Sequence, residues 1–299
     1  MFDKLKKNLK SLILNSSQSA TNNMLLGRLH AINLRSVSKI DSLSDVEFKV
    51  FSQWGDDGII QFLINNLDIP NRTFVEFGVA NYSEANTRFL LMNNNWSGLV
   101  MDGSKKNIAH IQNDEIYWQF DLQAKHAFID CDNVNALIAS AEFDEELGLL
   151  HIDIDGNDYW VWQAVKIVSP VIVIMEYNSL FGSDNAWTTP YDPSFVRSGY
   201  HYTNLCYGSS ITSLCDLAEE KGYYFIGCNS AGNNAYFVRK DKIADLKPLS
   251  ATEGYVESKF KESRDKNGQQ TFLRSHQRLE AIKGMKVFDT RLNKLVTIK

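Results

Sequence analysis

The chain has 299 residues, 44% of them hydrophobic and 22% charged, with a formal net charge of −5 at pH 7. Such a length buries a sizeable core, the composition is that of a globular chain, and the acidic balance argues against non-specific nucleic-acid binding. No apolar run approaches the ~20 residues of a membrane span, and Cys131, Cys206, Cys215 and Cys228 have neither metal-finger spacing nor disulfide-scaffold density, which points to the cytoplasm.

The charge is uneven: residues 1–40 hold seven Lys/Arg and one acid, Asp3, so the remainder carries −11. MFDKLKKNLKSLIL places Phe2, Leu5, Leu9, Leu12 and Leu14 near helical spacing among lysines. It lacks the apolar core and cleavage site of a secretory signal. A basic amphipathic helix suits an anionic membrane surface, but a surface or dimer-packing helix, within a homo-oligomer, is the preferred expectation. Residues 15–23, NSSQSATNN, read as a polar linker, and 25–34 as a second short helix. Residues 1–49 thus form a helical extension.

From residue 50 strands and helices alternate. FSQWGDDG leads into a helix over 59–67, ended at Pro70. TFVEFGV (73–79) is a buried strand, followed by a helix over 81–93 with Ser83 as its N-cap. SGLVMD (97–102) is the second strand and SKKNIAHI the second helix. EIYWQFDL (115–122) is the third strand, ending at Asp121, and 130–141 the third helix. LGLLHID (147–153), DYWVWQAVKIV (158–168) and VIVIMEYN (171–178) give strand, helix, strand. A helix over 209–222, ended by Gly222, leads to a hairpin, YYFIGCNSAGNNAYFVRK (223–240). Such alternation predicts an α/β fold around a mainly parallel sheet. Residues 179–207, rich in Trp, Tyr and Asp, have the length of a lid. The tail, 241–299, reads as a turn, a helix and two short strands packed on the domain.

Two groups of residues carry the chemistry. Glu76 and Gly78 end the first strand, where glycine permits close ligand approach and the next helix offers free N–H groups. Asp102, followed by Gly103, ends the second strand, 26 residues after Glu76. An acid there accepts hydrogen bonds from both ribose hydroxyls of an adenosine cofactor, and Asp121 would reach the adenine edge. GVANYS holds one of the three glycines of a dinucleotide fingerprint, which disfavours NAD. In the second group, Asp153 and Asp155 lie two apart on an extended chain and share a face. They repel unless a cation, a proton or donors compensate. His151, inside an apolar strand, reads as a hydrogen-bonded core residue. Trp187, Tyr191, Asp192, Arg197, His201, Tyr202 and Tyr207 populate the lid, and His201 is the preferred general base because its ordinary pKa lies near working pH.

The alternation, the terminal hairpin, VEFGVANYS and VMDGS together resemble the class I S-adenosylmethionine-dependent methyltransferase fold. SQWGDDG, HIDIDGNDYW and GYYFIGCNSAGNNAYFV resemble the FkbM-like sugar and natural-product O-methyltransferases. The resemblance covers residues 50–240. It implies a Rossmann-like, doubly wound, mainly parallel seven-stranded sheet ending in an antiparallel hairpin. It also implies methyl transfer from S-adenosylmethionine to a hydroxyl of a sugar, free or nucleotide-linked, for a surface polysaccharide. On this reading Glu76, Gly78, Ser83, Asp102, Gly103 and Asp121 bind cofactor, while Asp153, Asp155 and His201 act on the acceptor. HIDIDGNDYW further resembles cation-dependent catechol-type O-methyltransferases, which implies Mg²⁺ or Mn²⁺ on Asp153, Glu176 and Asn178, although strand five ends Glu-Tyr-Asn rather than Asp-Asn. The competing readings are a non-catalytic methyltransferase-like module that binds a nucleotide or partner, and an NAD-dependent oxidoreductase.

Overall fold

The computed structural model describes the backbone of residues 2–299 and the side chains of residues 18–274 and 276–299. The strands are β1 (Thr73–Phe77), β2 (Ser97–Asp102), β3 (Leu122–His126), β4 (Leu149–Ile152), β5 (Ile172–Glu176), β6 (Trp187–Thr188), β7 (Tyr223–Cys228), β8 (Asn234–Arg239), β9 (Lys286–Asp289) and β10 (Lys294–Thr297). The helices are α1 (Phe2–Leu34), α2 (Asp56–Asn66), α3 (Arg88–Asn94), α4 (Lys105–Asn113), α5 (Ile116–Gln119), α6 (Val134–Ala139), α7 (Asp158–Ala164), α8 (Arg197–Tyr200), α9 (Ile211–Lys221), α10 (Ala251–Gly254) and α11 (Ser275–Ala281).

Seven strands form one sheet in the order β3-β2-β1-β4-β5-β8-β7. The first five pair in parallel, and β8 runs antiparallel to both β5 and β7. This is the doubly wound, Rossmann-like sheet with a terminal hairpin that the methyltransferase resemblance implied. Alternate residues of each strand feed two cores. Phe74, Val100, Leu149 and Ile172 pack beneath α2 and α3 on one face; Val75, Leu99, Leu150 and Val173 pack against Trp162 of α7 and Leu214 of α9 on the other. Burial on both faces explains why the central strands read as continuous apolar runs. The strand order reverses between β1 and β4, and the crevice beyond their carboxyl ends is where open α/β sheets bind ligands.

Several local expectations are corrected. Residues 15–23 lie inside α1 rather than in a linker. They contain no Gly or Pro, and their Ser, Thr and Asn residues each cost a helix only about 0.5 kcal/mol. The amphipathic face expected over residues 1–14 falls on side chains outside the described residues. At its far end α1 packs on the domain through Gly27, where a Cβ would meet Val50 at 2.4 Å. The third strand is displaced: Ile116–Gln119 is a helical turn and β3 follows it. As the outermost strand of the sheet, β3 buries only Leu122 and Ala124, so its sequence lacks the apolar run of its neighbours. α9 ends as expected at Gly222, with φ of +84°. In the lid, β6 joins β9 and β10 in a second, antiparallel sheet. Among the described residues no helix is long and apolar enough to cross a membrane.

Candidate active site

The site is built on the carboxyl ends of β1, β2, β4 and β5. Glu76 of β1 stands beside His151 of β4 in the parallel register, and the carboxylate meets His151 Nδ1 at 2.8 Å. It also accepts the N–H groups of Asn86 and Thr87, at 3.0 and 3.1 Å, and the Thr87 hydroxyl. Burial alone would raise the Glu76 carboxyl, but the bonds and charge of His151, with those of Thr87 and Asn86, hold it below its ordinary range. Burial opposes charge on His151 as well, and Glu76 outweighs it and raises the imidazole. Glu76 therefore caps the start of α3 and pairs with a core histidine.

Gly78 has φ of +77°, and a Cβ there would lie 1.6 Å from the carbonyl oxygen of Asp153. The missing side chain is required by the close approach of the β1 and β4 ends. Ala80 and Tyr82 also have positive φ, 47° and 62°, so the chain turns sharply beneath the cavity before reaching Thr87. At the end of β2, Asp102 Oδ1 accepts the N–H of Ser104 (2.8 Å) and Asn107 Nδ2 (2.9 Å).

A cavity of about 660 Å³ opens over these strand ends, within the range of ligand pockets. Gly78, Ala80, Met101, Asp102, Gly103 and Phe128 line one half. Asp153, Asp155, Glu176 and Arg197 line the other, closed by Trp54, Phe260, Glu262 and Gln270.

The acids after β4 are managed individually. Asp158, fully buried at the start of α7, accepts the N–H groups of Ile154 and Gly156, both at 2.8 Å. Burial, then the charge of Asp153, raises it to about 7. These bonds shape a turn in which Asp155 adopts φ of +61°, an uncommon conformation for a residue with a side chain. Asp155 Oδ1 accepts Arg197 Nη1 at 2.7 Å, and the Arg197 guanidinium lies 3.6 Å from the centre of the Tyr207 ring. Burial, then the charge of Asp155, raises Asp153 to about 6, while His151, Glu176 and Arg197 act the other way. Glu176 is raised well above the carboxylate range, first by burial and then by Asp153; its Oε2 is buried without a hydrogen-bond partner. Acceptor oxygens of Asp153, Asp155 and Glu176 lie within 4.8 Å of one another.

The structure thus brings Gly78, Asp102, Gly103, Asp153, Asp155 and Glu176 to one cavity and leaves five expected residues away from it. Glu76 is enclosed by His151 and α3. Ser83 does not cap a helix: it bonds Asn81, while α3 begins at Arg88 and Glu76 takes the N–H groups ahead of it. Asp121 precedes β3 instead of ending it and is exposed at the amino end of that strand, away from the carboxyl ends that carry the cavity. His201 lies in the lid but does not line the cavity; its Nδ1 is 2.7 Å from the Thr203 hydroxyl, and its partial burial lowers its pKa. Asn178 is buried, donating to the carbonyls of Leu205 and Tyr207 and accepting from Leu180 N–H, so Asp155 takes its place in the oxygen cluster. Trp54 was read only within the SQWGDDG motif and Phe128 not at all, and Phe260, Glu262 and Gln270 escaped sequence reasoning because nothing local marks a residue of the C-terminal tail as part of a strand-end cavity.

No protein-family model matches the chain, and no curated protein matches it, so the FkbM-like resemblance rests on motifs alone. Among solved structures, the O-methyltransferase from Bacillus cereus, in complex with S-adenosylhomocysteine, is 16% identical, with 74% of this chain and 91% of that one covered and a TM-score of 0.42. An S-adenosylmethionine-dependent methyltransferase from Clostridium acetobutylicum ATCC 824 is 12% identical over 62% of this chain and 89% of that one, with a TM-score of 0.37. The N-terminal domain of EvdMO1, crystallised with S-adenosylhomocysteine and D-fucose, is 11% identical over 71% of this chain and 93% of that one, with a TM-score of 0.38.

Proposed function

We propose that the chain transfers the methyl group of S-adenosylmethionine to a hydroxyl oxygen of a sugar. The observation that carries this reading is the charge of the cavity, where Asp102, Asp153, Asp155 and Glu262 are joined by a single guanidinium, that of Arg197. Carboxylates favour a sulfonium and an ammonium group and repel the pyrophosphate of a dinucleotide. On this reading Asp102 receives the ribose hydroxyls, Met101 and Phe128 flank the adenine, and the Gly78–Tyr82 turn holds the amino-acid end. Bound S-adenosylmethionine supplies an electrophilic methyl group, so the remaining task is to align the hydroxyl oxygen and receive its proton. Asp153, raised to about 6, is the proton acceptor suited to neutral pH, in place of His201.

Calorimetry with S-adenosylhomocysteine tests the cofactor half. Asp102→Ala is expected to weaken binding by about 1–3 kcal/mol, the scale of a hydrogen bond to a charged group. Unchanged affinity would remove Asp102 from the site, and preferential binding of NAD would overturn the reading.

A second reading of the acceptor half follows from the oxygen cluster, Asp153, Asp155 and Glu176. An all-oxygen donor set with a buried, unpartnered Glu176 atom fits a hard cation, Mg²⁺ or Mn²⁺. Held there, the ion would lower the pKa of the acceptor hydroxyl. Mn²⁺ titration followed by electron paramagnetic resonance decides between the readings: stoichiometric binding lost in Asp153→Asn supports the cation, whereas no binding, with methyl transfer unaffected by chelator, leaves Asp153 as the proton acceptor.

A further inference from the structure

The acceptor half of the cavity is closed by two segments that the strand-end motifs do not include. The first is the turn before α2. Asp57 accepts the N–H groups of Val50, Phe51 and Ser52 at 2.7 to 2.8 Å, and Asp56 accepts from Asn229, Asn234 and Tyr236. These bonds tie the turn to the β7–β8 hairpin and hold Trp54 at the cavity. The second is the strap from Tyr255 to Arg274. Tyr255 Oη donates to the Ser179 carbonyl at 2.8 Å, Lys259 N–H to Ala231, and Arg278 reaches Ser258 Oγ at 2.9 Å. The strap brings Phe260 against Trp54, with ring centroids 6.3 Å apart and planes inclined by 19°. Gln270 follows where the strap doubles back through its bridge to Arg264.

Two buried polar atoms of this half have no hydrogen-bond partner, Trp54 Nε1 and Glu176 Oε2. One is a donor and the other, when its carboxyl is ionised or its proton sits on the far oxygen, an acceptor. A ligand that satisfies both must accept at one place and donate at another, which a hydroxylated ring does and a fully ionised phosphate or carboxylate does not. Charge gives the same selection. Arg197 is the one cationic side chain among the described lining residues, and it is already engaged with Asp155 at 2.7 Å, Glu262 at 3.7 Å and the Asn204 carbonyl at 2.9 Å. An anionic group would meet carboxylates, and the Arg278 guanidinium, 5.9 Å from the centre of the Phe260 ring, does not line the cavity.

We propose that Trp54, Phe260 and Gln270 form an acceptor subsite that takes a neutral, hydroxylated ring and turns away an anionic one, so that the C-terminal strap selects the acceptor. The proposal rests on the methyl-transfer reading. The aromatic pair supplies apolar ring surface, and the Gln270 amide and the two unpartnered atoms engage hydroxyls.

Saturation-transfer NMR on the full chain, saturated with S-adenosylhomocysteine, tests this directly. The probes are the methyl glycosides of glucose, galactose, mannose and rhamnose, with glucose 1-phosphate as the anionic comparison. At least one glycoside is expected to receive saturation, and the phosphate none. In Phe260→Ala and Gln270→Ala the effect should fall about fivefold, with S-adenosylhomocysteine affinity unchanged by calorimetry. No transfer to any glycoside, equal transfer to glucose 1-phosphate, or full transfer in both variants would overturn the subsite. Failure of the unaltered chain to bind S-adenosylhomocysteine overturns the methyl-transfer reading instead and is read in the same calorimetric series.

Discussion

Gly78→Ala is expected to destabilise the fold by about 2–5 kcal/mol, the sum of a non-glycine left-handed conformation and a steric clash in a packed region. The backbone at Gly78 has φ of +77°, and the new Cβ would sit 1.6 Å from the Asp153 carbonyl oxygen. That oxygen is backbone at the end of a central strand, so no rotamer change relieves the overlap; β1 and β4 must separate at the point where the cavity begins. Gly222 supplies the control, with φ of +84°, ψ of 33° and nothing within 4 Å of an added Cβ. Gly222→Ala retains a left-handed conformation without a clash, so its cost should be about 1 kcal/mol. Urea unfolding of both variants isolates the clash as the difference. Equal costs would show that Gly78 matters only for its backbone angle.

Glu76→Gln should cost about 3–5 kcal/mol, as expected when one partner of a buried ion pair is removed and the other is left uncompensated. The loss has a pH signature. Glu76 is held below its ordinary 4.5, so its contribution is complete above 4.5 and is lost as pH falls through the lowered value. His151 is raised above its ordinary 6.5, so its contribution is complete below 6.5 and is lost as pH rises through the raised value. The pair is therefore fully effective between pH 4.5 and 6.5. Asp153 and Asp158, raised to about 6 and about 7, reduce stability with rising pH over an overlapping range. The pair is consequently read as the difference between the unaltered chain and Glu76→Gln at each pH. That difference should be larger at pH 5.5 than at pH 9; a pH-independent difference would mean that His151 is neutral throughout.

These two positions also show why a strand-end motif is ambiguous on paper. Glu76 has the residue type and spacing of a cofactor ligand, yet the parallel register sets it beside His151 and turns it toward the helix start. Nothing between residues 76 and 102 reveals that register, because it depends on a strand 75 positions away. Gly78 was legible as a position without a side chain, but the reason lies in Asp153 rather than in a ligand alone. Asp121 misled for a related cause. An aromatic, β-branched stretch, Ile116 to Phe120, imitated a strand, while the true edge strand needed only alternate burial and so left little signal.

What the amino-acid sequence determined by itself is what arises from local periodicity: the alternation of buried strands and helices, the Gly222 stop, the terminal hairpin, the core placement of His151 and the crowding of acids after β4. These follow from side-chain burial and backbone geometry within a few residues of chain. The tertiary structure alone decided how the crowded acids are compensated, because the compensating groups are remote. Asp158 turns back onto its own loop, Asp155 meets Arg197 from the lid, and Asp153 meets Glu176 from the adjacent strand. It alone brought Trp54 and Phe260 together across 206 positions of sequence. Chain closure over such distances is set by the summed packing of the whole domain, and no short motif encodes it.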